Sequence, residues 1–216
     1  FAEGFRNEVQ VINTVLSANP DNNIGMAAML GASLSLCISD IPFNGPIAGV
    51  VVGRVNGELI INPTVEEMEK SDINLTVAGT SQAINMVEAG AKEVSEAEML
   101  EALMFGFEEI KRINAFQEEV IKAVGKEKVV VELHEIPAEM NELIRGKCEK
   151  ELKAAVVIKE KLERYAKIDE IGETTREYFK EYWKNEEIEV QTENMRYVEE
   201  LLELIVAEEV RRLITE

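Results

Sequence analysis

The spacing of apolar and polar positions changes character near residue 125. Residues 8–17 interleave Val9, Val11, Ile12, Val15 and Leu16 with polar neighbours, which predicts a strand with one covered face. The turn-rich run Asn19-Pro20-Asp21-Asn22-Asn23 leads into residues 26–37, apolar nearly all round and studded with small side chains. That composition predicts a buried helix packed closely on a sheet. Two apolar runs, 50–55 and 58–61, flank Asn56-Gly57, a dipeptide suited to the two positive-φ positions of a type I′ turn, so they predict a hairpin. Thr64 and Glu67 have capping-box spacing and predict a short helical turn. Ile73, Leu75 and Val77 alternate as a third strand, and 84–91 suits a fourth. Ser95 and Glu98 form a second capping box, ahead of a long amphipathic helix. Its apolar face is predicted from Leu100, Leu103, Met104, Phe107, Ile110, Ile113, Val120 and Val124, with Gly125 as the stop.

Beyond Gly125 the helical period dominates. A short strand is expected at 128–133, and Pro137 stands at a helix N-terminus. Met140, Leu143, Ile144, Cys148, Leu152 and Val156 then recur at helical spacing. Further helices are expected at about 168–183 and 192–214, separated by the acidic stretch 185–190, and no glycine occurs from Glu173 onward. The expected organisation is α+β: a layered sheet domain over 1–125, a connector over 126–136 and an all-helical domain over 137–216.

Charge narrows the functional classes. The 216 residues carry a net charge of −19; residues 1–125 hold 7 basic and 18 acidic residues, and 126–216 hold 16 and 24. Neither half has the Lys/Arg surplus that displaces counterions from a polyphosphate, so any RNA partner makes its main electrostatic contacts elsewhere. Lys111-Arg112 and Arg211-Arg212 are the local pairs of positive charge, and both read as solvated surface. No apolar run approaches the roughly 20 residues needed to span a bilayer, and no basic segment precedes an apolar one, which points to the cytoplasm. The chain opens on Phe1 without an initiator methionine, as a fragment or processed piece would.

Candidate chemistry is sparse. Cys37 and Cys148 lie in separate predicted helices and read as reduced, buried thiols. The only histidine, His134, sits on or beside the expected strand and reads as structural or solvent-facing rather than catalytic. Isolated glycines make no phosphate-binding fingerprint. Pro42-Phe43-Asn44-Gly45-Pro46 reads as a rigid connector between helix and hairpin.

Several segments nevertheless carry a resemblance: Gly4-Phe5-Arg6-Asn7-Glu8-Val9-Gln10-Val11, Ile41-Pro42-Phe43-Asn44-Gly45-Pro46-Ile47, Val77-Ala78-Gly79-Thr80, and Arg211-Arg212-Leu213-Ile214-Thr215-Glu216. Together with the helical tail they resemble the polyribonucleotide nucleotidyltransferase (polynucleotide phosphorylase) family. In that family two ribonuclease PH-like cores are joined by an all-helical domain, followed by RNA-binding modules, and three copies form a ring around an RNA channel. The resemblance implies that this chain is the later part of the first core plus the helical linker. It implies a parent enzyme that degrades RNA from the 3′ end with inorganic phosphate and Mg2+, releasing nucleoside diphosphates. Implied partners are the second core of the same polypeptide, two further copies in a homotrimer, and RNA in the channel; a membrane is not among them.

The resemblance also locates two degenerate sites. The phosphate-binding serines of the active core fall on Asn23, Ile24 and Gly25, of which only Asn23 could donate a side-chain hydrogen bond. The metal-binding carboxylates fall on Asn62 and Met68, with a third acidic position kept as Asp72. An amide and a thioether are poor ligands for Mg2+. The chain alone is therefore expected to hold no metal or phosphate and to be inactive. The alternative is a stand-alone acidic module for assembly or protein binding, without RNA chemistry.

Overall fold

The computed structural model describes residues 1–19 and 21–216, so Pro20 of the predicted turn lies outside the described residues. Two compact units divide between His134 and Glu135. The first contains α1 (Ile24–Ile38), β1 (Ala48–Val55), β2 (Glu58–Ile61), α2 (Val65–Lys70), β3 (Ile73–Gly79), β4 (Ile84–Ala91) and α3 (Glu96–Val124). The second contains α4 (Ala138–Val156), α5 (Lys161–Tyr182) and α6 (Ile188–Thr215).

The four strands form one antiparallel sheet in the order β2-β1-β3-β4. The β1–β2 hairpin follows from its turn, since Asn56 (φ 52°) and Gly57 (φ 85°) both occupy the left-handed region. On one face Val50, Val52, Leu75 and Val77 meet Ala102, Phe107 and Ile110 of α3 in a single core. Gly106 sets how closely that helix approaches: a Cβ there would lie 2.9 Å from Val52 Cγ2 and 3.3 Å from Val50 Cγ2. The alternate residues of β1 face the other way, where Met26 and Met29 of α1 close on Gly49 and Pro63 and Ser71 close on Gly53. Both predicted capping boxes are formed, Thr64 with Glu67 and Ser95 with Glu98.

Several expectations fail where they depended on distant partners. Residues 8–17 form no strand; Ile12 and Leu16 are 75% and 93% exposed. Their alternation is present, but the sheet offers them no paired edge. Helix α1 is not buried all round, since only Ser33 and Cys37 are fully covered. On α3 the buried stripe is Ala102, Gly106, Phe107, Ile110, Asn114 and Gln117, whereas Leu100, Met104 and Val124 of the predicted apolar face are exposed. Gly125 does end α3, but in extended rather than left-handed backbone (φ −64°, ψ 148°).

Residues 128–133 likewise form no strand. The segment 126–134 is tied to the rest of its unit by scattered contacts: the N–H groups of Lys126, Val129 and His134 donate to the carbonyls of Ile38, Asp40 and Gly4. His134 therefore follows an irregular segment rather than a strand. The Lys128 ammonium donates to the carbonyls of Leu36, Cys37 and Ser39, supplying positive charge at the end of α1, whose last turn has no basic residue.

In the second unit Ile144, Cys148 and Leu152 of α4, Ile171 and Phe179 of α5, and Val198, Leu201 and Ile205 of α6 form the core. Helix α5 begins seven residues earlier than its apolar spacing suggested, because Glu160 caps it by accepting from the Glu163 N–H. Helix α6 starts at Ile188, inside the acidic stretch expected to separate the helices.

Candidate functional site

A cleft of about 430 Å³ opens on the sheet face opposite α3. Its walls are Asp21, Asn22 and Asn23 before α1, Pro63, Thr64, Val65, Met68 and Glu69 around α2, and Val51, Asn74 and Thr76 from the strands. The strand residues converge for a simple reason. Val51 pairs with Thr76 across β1 and β3, and Asn74 lies two positions before Thr76 on the same side of β3.

Two of the six residues singled out in the sequence, Asn23 and Met68, therefore line one cleft despite being 45 positions apart. Asn23 is already engaged, since its Oδ1 accepts from the Met26 N–H at 3.2 Å as the N-cap of α1. Ile24 and Gly25 are the first residues of that helix, and Ile24 is 41% exposed. Asn62 stands beside the cleft in the left-handed region (φ 50°), where its Oδ1 accepts from the Val51 N–H at 2.9 Å and its own N–H donates to the Val51 carbonyl. It thus closes the open end of the hairpin, its side chain taking the place of a backbone acceptor.

Asp72 is drawn away from the cleft by Arg54. The arginine Nε and Nη2 donate to its two carboxylate oxygens at 2.9 and 2.6 Å, while Nη1 reaches Glu98 at 2.8 Å. The Arg54 hydrogen bonds hold the Asp72 carboxyl below its ordinary range. Glu98 is lowered to about 2, first by the Ser95 hydroxyl and then by Arg54. The main chain of Asp72 is fixed as well: its N–H donates to the Arg54 carbonyl, and its own carbonyl accepts from the Lys92 N–H.

Sequence reasoning missed Asp21, Glu69, Asn74 and Thr76. The two strand residues carried a signal: they are the polar alternates of the Ile73, Leu75, Val77 pattern and so had to share the opposite face. Among the described residues the cleft lining has two carboxylates and no Lys or Arg. Among the described residues no group of three His, Cys, Asp or Glu side chains is arranged to hold a metal ion. Cys37 and Cys148 are buried free thiols, and burial pushes Cys148 up to about 11, which leaves it an unreactive core residue.

Residues 45–109, covering the sheet and the first half of α3, match a family profile described as "3′ exoribonuclease family, domain 2". The fold and this match define the first unit as an exoribonuclease-type α+β domain, joined to a separate helical unit. Residues 139–216 match a second profile, "Polyribonucleotide nucleotidyltransferase, RNA binding domain". Over 215 residues the chain is 57% identical to the polyribonucleotide nucleotidyltransferase of Bacillus cytotoxicus and 55% identical to that of Bacillus anthracis. Over its whole length the chain is therefore similar to a segment of polyribonucleotide nucleotidyltransferases, joining an exoribonuclease-family domain to the helical domain of that family. It spans 29% of the length of these two relatives. No helix among the described residues is long and apolar enough to cross a membrane.

Proposed function

We propose that this chain is the non-catalytic portion of a phosphate-dependent 3′-to-5′ exoribonuclease, comprising the later part of its first ribonuclease PH-like core and its helical domain. In this reading the parent is a cytoplasmic homotrimer. Its second core uses inorganic phosphate and Mg2+ to release nucleoside diphosphates from RNA, and the present portion builds the ring and the channel.

The make-up of the cleft carries the proposal. Mg2+ takes hard, usually anionic oxygen. At the three positions the family resemblance marks, Asn62 spends its carbonyl oxygen on Val51, Met68 offers a thioether, and Asp72 is neutralised by a bidentate arginine. These donors do not fit the ion. An inorganic phosphate fits no better, because Asp21 and Glu69 would repel it and no cation in the lining would offset them. Phosphoryl transfer depends on positioning and charge neutralisation, and this cleft supplies neither.

The test incubates the 216-residue chain with poly(A), phosphate and Mg2+ and follows nucleoside diphosphate release. No release is expected, and in the full-length polypeptide Met68→Ala should leave the turnover rate within about twofold. Release by the isolated chain, or a hundredfold loss on Met68→Ala, would place chemistry in this cleft and overturn the proposal.

A further inference from the structure

Helices α5 and α6 do not close completely on each other. Between them lies a pocket of about 400 Å³, floored by the buried Leu152 of α4, Gly172 of α5 and Leu202 of α6, and walled by the half-buried Ile168 and Val206. Its volume falls within the roughly 300–1,000 Å³ of ligand sites. Gly172 keeps the floor open. It lies inside α5 without a positive φ, where alanine would be the more stable residue. No backbone presses on it either, since a Cβ there would meet only the flexible end of Arg176, with Nη1 3.0 Å away. Any larger residue at 172 would project towards Arg176 and into the pocket. The rim is acidic. Asp169, Glu199 and Glu203 stand on it beside Arg176, the one cation in the lining among the described residues. That arginine is committed: Nε and Nη2 donate to the two Glu199 oxygens at 2.7 and 2.9 Å, and Nη1 donates to Glu173 at 3.3 Å. Asp169 and Glu203 form no ion pair among the described residues.

From this geometry we infer that the pocket between α5 and α6 docks a basic amphipathic helix of a partner protein. One leucine- or methionine-sized side chain enters over Gly172, and flanking Lys or Arg side chains pair with Asp169 and Glu203. Charge selects this occupant. A second copy of the chain, with its net charge of −19, would meet the acidic rim unfavourably, and so would a nucleic acid. Shape selects a helix, because a groove between two packed helices accepts a third through ridges and anchors spaced i, i+3 or i+4, and i+7. With Leu152 of α4 beneath, such a helix would complete a four-helix arrangement. The docking site is independent of the exoribonuclease reading, since pocket, glycine and rim all belong to the helical unit.

The experiment titrates the full 216-residue chain into a fluorescein-labelled peptide of about 18 residues, or about five helical turns, with leucines along one face and lysines on the flanks. Anisotropy should report binding that weakens from about 50 to about 200 mM salt. Replacing the central leucine of the peptide by alanine should weaken binding about tenfold, the effect of leaving one such side chain unburied. Replacing its lysines by glutamate should abolish binding. On the protein, Gly172→Leu should fill the pocket and weaken binding about tenfold or more. Gly146→Leu, at a helical glycine with open space around it and outside the pocket, should stay within about twofold of the parent. Asp169→Asn and Glu203→Gln should each cost about threefold, the size of an exposed ion pair. Circular dichroism melts show whether Gly172→Leu is folded, and the peptide variants carry the test if it is not. A parent chain that does not bind the lysine peptide would overturn the inference. So would binding indifferent to Gly172→Leu and to the loss of the central leucine, which would mean diffuse attraction to an acidic protein. Loss of self-association or of oligoadenylate binding on Gly172→Leu, with peptide binding unchanged, would assign the pocket to a second copy or to RNA and overturn it equally.

Discussion

The two units use their polar residues in opposite ways. In the α/β unit the side chains nearest the candidate chemistry are consumed by the fold: Asn23 caps a helix, Asn62 closes a hairpin, and Asp72 and Glu98 share one arginine. In the helical unit the polar contacts between helices lie at the rim, and the buried ones, Thr175 to the Ile171 carbonyl and Glu209 with Arg212, stay within single helices. Arg145–Glu208 and Arg176–Glu199 join α4 and α5 to α6, while the apolar core closes beneath them. Partly exposed pairs of this kind contribute at most about 1 kcal/mol each, so the helical unit is held chiefly by burial and can leave aromatic side chains on its surface. Polar density near a cleft therefore reports local fold as readily as chemistry.

The largest effect should come from cutting the helical core. Phe179→Ala removes a fully buried ring and should cost about 3–5 kcal/mol. Urea unfolding followed by Trp183 fluorescence should shift strongly to lower denaturant, while most of the sheet signal in circular dichroism persists. A single common transition for both signals would break the comparison, because the units would then not be separately held.

A smaller effect separates the two readings of Asn62. Asn62→Ala places alanine in left-handed backbone and removes an acceptor, a loss of about 1–2 kcal/mol. Asn62→Asp keeps both the acceptor and the tolerance for positive φ, so it should melt close to the parent. An alanine variant as stable as the parent would deny Asn62 its role in the hairpin.

The subtlest test uses pH. Glu98 is depressed from 4.5 to about 2, and Asp72 is also depressed. A carboxylate with a lowered folded-state pKa stabilises above its unfolded value, and that contribution is lost as pH falls through the folded value. The parent's melting temperature should therefore drop as pH falls from about 4.5 towards 2. Arg54→Ala should start lower at pH 7 and fall less, so the two curves converge. Parallel curves would remove Arg54 as the source.

What could be read in the sequence was local. Asn56-Gly57, Thr64 with Glu67 and Ser95 with Glu98 determine their structures within four residues, and each formed as expected. The segment 8–17 misled because alternation describes a strand's faces but cannot supply the strand beside it. The cleft was half legible. Family resemblance drew attention to Asn23 and Met68, and the structure brings them together. It could not foretell that Arg54, 18 positions away, would claim Asp72, nor that the backbone at residue 62 would turn left-handed. The pocket between α5 and α6 was equally hidden, because helical spacing alone does not say where packed helices leave a gap.

The lysine that closes α1 bears on the order of events in folding. Lys128 uses its ammonium protons on Leu36, Cys37 and Ser39, about 90 positions earlier in the chain. Ser39 caps the end of α1 locally through its N–H to Ser35 and its hydroxyl to Leu36, but the lysine's share can be added only after the hairpin, the remaining strands and the whole of α3 have been made and brought near. Closure of so long a loop rewards the chain only late and slows collapse to the native arrangement. During synthesis this one contact waits until residue 128 has left the ribosome.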